Sequence, residues 1–257
     1  MRYLRVFLAV LKMQTKISFS RNLFKFSVLI MPIFFSTLLY FVYDKASNSS
    51  SSYIMLGSAV ASLWGVTCYS SAIEIERERI SGTLESVSMT PIGFEFIIFS
   101  KIIANTVIGL ISFGVTLVYS SLILQISLPV YSYRQFVLWF LILLFSFISM
   151  SFLLATLLTL SGNAFAWMST VQYPIYFLSG MLFPVKILPK WVQYISSVIP
   201  IRWSMESLMK IVSGMPNSSI IPNLISIILS LLYLALAHYS FRIIEIKRRK
   251  EGTLGGF

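Results

Sequence analysis

The residues of this chain that could carry chemistry are few, and most sit together. Five of the nine acidic side chains fall between Glu74 and Glu95, most of them in the run Glu74-Ile75-Glu76-Arg77-Glu78-Arg79-Ile80-Ser81-Gly82-Thr83-Leu84-Glu85. Clustered carboxylates can do acid–base or metal chemistry, but here arginines separate them and no histidine is near. On a helix, Glu74 with Arg77 and Glu76 with Arg79 are i,i+3 ion pairs, each worth roughly 0.2–0.5 kcal/mol. The one histidine, His238, has no acidic residue inside an apolar stretch with which to exchange a proton. It reads as a packed or interfacial residue rather than a relay. A single cysteine, Cys68, rules out an internal disulfide and disfavours a cysteine metal site. None of the 12 glycines forms G-x-x-x-x-G-K-[ST], so no phosphate-cradling loop is present. No catalytic residue, bound cofactor or metal is expected, and the chain is not expected to be an enzyme.

What must position these groups is a membrane. Of 257 residues, 57% are hydrophobic and only 11% charged, against about 25% charged in a soluble domain; mean hydropathy is +0.83. Crossing the hydrocarbon core takes about 20 apolar residues. Six stretches qualify: 24–43, 53–73, 102–126, 136–160, 164–183 and 220–241. They lack the alternation of barrel strands. The expected fold is therefore an all-α integral membrane protein, one domain over 1–257, with six transmembrane helices.

The net charge of +11 is placed for topology rather than for nucleic acid. Arg2, Arg5, Lys12, Lys16, Arg21 and Lys25 flank the first stretch, and Arg242, Lys247, Arg248, Arg249 and Lys250 follow the last. With both termini cytoplasmic, fourteen of the 20 basic residues lie inside and six outside, as the positive-inside rule requires. Residues 1–23 read as an amphipathic interface helix with Leu4, Phe7, Leu8 and Leu11 on one face and Arg5, Lys12 and Lys16 on a neighbouring one.

The cytoplasmic segment 74–101 reads as a lever. The second span runs on as a charged helix. Gly82 takes the left-handed conformation that stops it. Thr90 and Pro91 then supply an N-cap and a first helical residue. A rigid helical insert of this kind suits a cytosolic motor that pushes on it.

The stretch through Glu76, Arg77, Glu78, Gly82, Thr83, Leu84, Glu85, Thr90 and Pro91 resembles the first cytoplasmic loop of type-2 ATP-binding-cassette (ABC) exporter permeases, E-x-E-(R)-x-x-G-T-L-E-x(4)-T-P. Ser179-Gly180-Met181-Leu182-Phe183-Pro184, Leu188-Pro189-Lys190-Trp191 and Ile199-Pro200 are similar to that family's second series, G-x-x-F-P, L-P-x-W and x-P. The resemblance implies that Gly82–Pro91 is a coupling helix seated on an ATPase subunit. Glu74, Glu76, Arg77, Glu78 and Arg79 belong to the helix above it, and the N-terminal helix crosses the same interface. It implies two cytosolic ATPase subunits that hold the ATP and Mg. It also implies a second permease copy or paralogue, membrane lipids as surroundings, and a multi-pass place in the cell membrane. Cargo in the family runs from drugs and peptides to lipids and lipid-linked polysaccharides. The E-R-E-R…G-T-L-E loop is closer to the drug and peptide branch, where resistance is the outcome. A polysaccharide permease is the alternative; an ion-coupled transporter or a membrane-embedded enzyme is weaker, since no ionisable group lies mid-span.

Three further features bear on transport. Gly57, Ala61 and Gly65 repeat at i, i+4 and i+8, which lets two helices approach closely, within the chain rather than across a dimer. Gln172, Tyr173 and Tyr176, around Pro174, put polar groups at mid-depth, where they face protein or a cavity; Trp64 and Thr67 of the second span are the other candidate path residues. In the external segment 184–219, Pro184, Pro189 and Pro200 cut an apolar run too short to span. Trp191, Ile195 and Val198 share one face of it. It reads as a re-entrant or interfacial helical segment, and the resemblance implies that it caps the exit of the path.

Overall fold

The computed structural model describes residues 2–43, 51, 53–80, 82, 93–158, 164–214 and 220–251. These residues form helices and short connections, with no strand among them. The helices are α1 (Arg2–Ser20), α2 (Asn22–Tyr43), α3 (Ser58–Ile80, entered through a π-helical turn at Tyr53–Gly57), α4 (Phe94–Leu122), α5 (Tyr133–Leu158), α6 (Ala164–Leu178), α7 (Lys190–Ser197), α8 (Pro200–Val212) and α9 (Ile220–Glu251).

Four of them are long and apolar enough to cross a membrane: α2 over Phe24–Tyr43, α4 over Glu95–Leu122, α5 over Tyr133–Leu158 and α9 over Ile220–Ile244. The apolar part of α3 is shorter, Tyr53–Cys68, and α6 has 15 residues. Hydropathy sets the limits of an apolar run, whereas backbone geometry sets the limits of a helix. So α4 begins at Phe94, eight residues before the apolar run. And α6 stops at Leu178 instead of continuing to 183, because Gly180 turns the chain at φ +76°.

α3 is the axis of the bundle. It packs against α2, α4, α5 and α6, and every residue from Ile54 to Trp64 is buried. Small residues make this possible. A β-carbon on Gly57 would meet the Met181 carbonyl oxygen at 2.3 Å, and one on Gly65 would meet the Tyr176 hydroxyl at 2.5 Å. The Gly57/Gly65 face therefore receives α6 and the turn after it, within the chain as the spacing predicts. Trp64 lies against Phe147 of α5, ring centroids 5.2 Å apart.

Hydroxyls inside this apolar assembly are returned to their own helices. Ser36 donates to Pro32 O, Thr67 to Leu63 O, Thr106 to Ile102 O, Thr116 to Ser112 O and Ser146 to Ile142 O, each at 2.8–3.0 Å. Some also reach across. Ser62 and Thr116 join α3 to α4 at 2.9 Å, and Thr37 and Tyr119 join α2 to α4 at 2.8 Å.

α5, α8 and α9 form a second group. Its centre is a buried set of hydroxyls: Ser146 to Ser204 3.1 Å, Ser146 to Ser226 2.9 Å, Ser204 to Ser226 2.6 Å and Ser230 to Ser146 3.1 Å. Ser226 also donates to the Pro200 carbonyl. α8 thus begins beside the middle of α5. It ends near that helix's start, where Gly214 lies against Tyr131. The chain between α6 and α9 dips among the helices and comes back.

α1 docks on α4 in part through Gln14, whose Nε2 donates to Asn105 Oδ1 at 3.0 Å, both residues buried. Leu4 and Leu8 are exposed, as are Arg5, Lys12 and Lys16.

Candidate functional site

A pocket of about 280 Å³ opens where α2, α3 and α6 meet. α2 contributes Phe26, Met31 and Phe35; α3 contributes Ser62, Gly65 and Val66; α6 contributes Ser169, Gln172, Tyr173 and Tyr176. The missing β-carbon of Gly65 makes the room, and the Tyr176 hydroxyl enters it. Gln172, one turn earlier, donates from Nε2 to that hydroxyl at 2.7 Å. Phe35 closes the inner wall with its ring 5.4 Å from that of Tyr176, while Tyr173, 62% exposed, stands at the mouth. No charged side chain lines the pocket. Its volume is at the small end for ligand sites, and its lining, aromatic and apolar with a few neutral hydrogen-bonding groups, suits a neutral amphipathic group.

Of the path residues expected from sequence, the structure gathers Gln172, Tyr173 and Tyr176 here and places Trp64 and Thr67 elsewhere. Both are fully buried on other faces of α3. Trp64 packs on Phe147, and Thr67 is held by Leu63 O beside Gly109. Phe35, Ser62 and Gly65 join the pocket without having been singled out for it. The i, i+8 spacing marked Gly65 as a packing residue, and packing is what puts it at the pocket.

At the far end of α3, Glu74, Glu76, Arg77, Glu78 and Arg79 occupy its last turns. The helix stops as expected: Gly82 has φ +66°, and nothing lies within 4 Å of where its β-carbon would be. Thr83, Leu84, Glu85, Thr90 and Pro91 lie outside the described residues. The chain re-enters at Gly93, the N-cap of α4, and Glu95 occupies the first turn, where a carboxylate meets the positive end of the helix dipole. Glu95 Oε1 is 2.6 Å from His238 Nδ1 on α9. His238 thus has an acidic partner after all, because α4 starts upstream of the apolar run. Next to it, the rings of Phe96 and Tyr3 of α1 meet edge to face at 5.4 Å.

At the opposite end the prolines set the turns. Pro184 precedes the 3₁₀ turn Val185–Ile187, Pro189 caps α7, and Pro200 is the first residue of α8. Trp191 and Ile195 of α7 and Val198, which ends it, are all exposed. The join between α7 and α8 is fixed by polar contacts. Arg202 Nη1 donates to Gln193 O and Trp203 Nε1 to Ser197 O, both at 2.8 Å, and the guanidinium carbon lies 4.7 Å over the Trp203 ring. Partial burial lowers the Arg202 pKa from its ordinary value, and the nearby Glu206 opposes the shift. Tyr43 of α2 donates to Leu182 O at 2.9 Å and stacks on Tyr53, tying this end of the bundle together.

Among the described residues no group of three or more His, Cys, Asp or Glu could hold a metal ion. Four apolar helices of spanning length, three of them packed against α3 with a pocket at its side, fit an α-helical integral membrane protein. Residues 43–239 match the family model described as ABC-2 family transporter protein. The chain belongs to that family, the membrane subunits of type-2 ABC transporters, which work with an ABC ATPase. Nothing among curated proteins matches it.

Proposed function

We propose that this chain is the permease subunit of an ABC exporter. In this reading α2, α3, α4, α5, α6 and α9 are six spans, both termini are cytoplasmic, and 184–219 is an external re-entrant segment. Two copies, or one copy and a paralogue, combine with two ATPase subunits that bind ATP and Mg. The cargo is amphipathic or apolar, and Gln172, Tyr173 and Tyr176 contact it as it passes.

The observation that carries this reading is the continuity of α3. A single helix runs from Ser58, where four neighbours enclose it, through Glu74–Arg79 to its break at Gly82. Force applied at the end of the helix reaches the pocket wall at Gly65 along one rigid element, about 22 Å for the 15 residues from Gly65 to Ile80. Drug or peptide export, where resistance follows, is favoured by the E-R-E-R…G-T-L-E loop.

The test is reconstitution in lipid vesicles with the ATPase, using the dye rhodamine 6G as probe. Dye should move outward only with ATP and both subunits present, and hydrolysis should rise when dye is added. Dye movement unaffected by omitting the ATPase would refute the reading.

A further inference from the structure

Two polar joints lie on one helix. In its C-terminal half, α9 meets the first turn of α4 through His238 and Glu95, 2.6 Å apart. Deeper in, Ser226 and Ser230 of the same helix enter the buried hydroxyl set with Ser146 of α5 and Ser204 of α8. Between the joints α9 is one uninterrupted helix; twelve residues from Ser226 to His238 span about 18 Å. Glu95 sits two residues after Gly93, the N-cap of α4. α8, at the other joint, carries the polar contacts that fix α7.

We propose that α9 transmits movement of the start of α4 to α8 and α7. The Glu95–His238 pair is its inner joint, and the Ser146–Ser204–Ser226–Ser230 cluster is its outer joint. The inference rests on the reading that an ATPase pushes on this side of the protein. The two joints differ in kind for a physical reason. The inner pair is part-exposed, 49% and 29%, so it holds position by the direction of its hydrogen bond rather than by burial. The outer set is fully buried, where an unpaired hydroxyl is costly, so its members stay together. A rod fixed firmly at one end and steered at the other converts a small shift of the α4 start into displacement of α8. His238 and Glu95 are positioning residues, distant from the pocket.

The experiment uses the full chain with its ATPase in nanodiscs, spin-labelled at Lys190→Cys on α7 and Tyr133→Cys on α5. Both positions are exposed, and Cys68 is fully buried and silent. The distance between labels is read with and without ATP, alongside hydrolysis. In the wild-type background ATP should change the distance. His238→Ala and Glu95→Ala should each reduce the fraction that changes by about five-fold or more, the lower range of allosteric coupling. Hydrolysis should persist in both variants. Their double variant should be no worse than either alone. His238→Gln, which keeps a donor facing Glu95, should recover much of the response and covers the case in which alanine misfolds. Exchange of the two residues, Glu95→His with His238→Glu, should also restore it. A normal ATP response in the alanine variants, or losses that multiply in the double, overturns the transmission while leaving the exporter reading intact. A wild-type complex that neither hydrolyses ATP nor changes distance removes both.

Discussion

A β-carbon added to Gly57 would lie 2.3 Å from the carbonyl oxygen of Met181. The contact is with backbone, which cannot rotate away, and Leu39 of α2 stands at 3.9 Å on the same side. Gly57→Ala must therefore push the turn after α6 off α3. The expected cost is about 1–3 kcal/mol, as for other overpacked sites. Thermal unfolding in detergent should show a clear fall in Tm. An unchanged Tm would mean that the helices are not this close.

Trp64 is fully buried, and its indole N–H has no partner among the described residues. The side chain contributes by shape. Trp64→Phe keeps the ring against Phe147 and loses only an unpaired donor, so its cost should be small. Trp64→Ala opens a cavity at the centre of the bundle and should cost about 3–5 kcal/mol. If the two variants unfold alike, the packing assigned to this ring is wrong.

In the pocket, Tyr176→Phe leaves the Gln172 amide without its acceptor, at a cost near 1 kcal/mol, and makes the wall apolar. Tyr173, at the mouth, has no such structural duty. Tyr173→Ala should therefore leave Tm unchanged while altering the rhodamine 6G concentration that half-saturates transport. Equal loss of stability in both variants would count against this division.

Gly82 has φ +66° with open space around it, so only backbone conformation resists substitution there. Gly82→Val costs about 1–2 kcal/mol of left-handed strain. We expect it, and Glu78→Ala, to insert and express almost normally yet to cut transport sharply, with hydrolysis no longer responding to cargo. Ser50→Ala is the control. Wild-type transport by both variants would make this segment a plain connection.

Sidedness is tested by thiol labelling. Cys68 is fully buried, so background reaction is low. Lys190→Cys should react with an impermeant reagent in whole cells and Lys250→Cys should not; the reverse pattern would invert the topology.

What could be read in advance was what depends on neighbours along the chain. Gly82 as a helix stop and the Gly57/Gly65 face follow from local backbone rules and a repeat of four. What could not be read depends on which helices meet. Ser146, Ser204, Ser226 and Ser230 look like ordinary small residues until the fold brings them together across 84 positions. Glu95 seemed to lie outside the spans because hydropathy sees side chains, while the α4 backbone is already helical there. Trp64 and Thr67 were grouped with Gln172 by depth alone. Depth fixes the level of a residue but not its face, and on a helix enclosed by four others every face is occupied.

The hydroxyls that bond back to carbonyls one turn earlier have a consequence for biogenesis. A serine or threonine satisfied by its own helix makes no demand on a neighbour while that helix enters the bilayer. α2, α4 and α5 can each leave the insertion machinery with Ser36, Thr106, Thr116 and Ser146 already paired. Links such as Ser62 to Thr116 and Ser146 to Ser226 then form by adding a partner rather than by rescuing a stranded group. The helices can be delivered in the order the ribosome makes them, and the bundle can tighten afterwards.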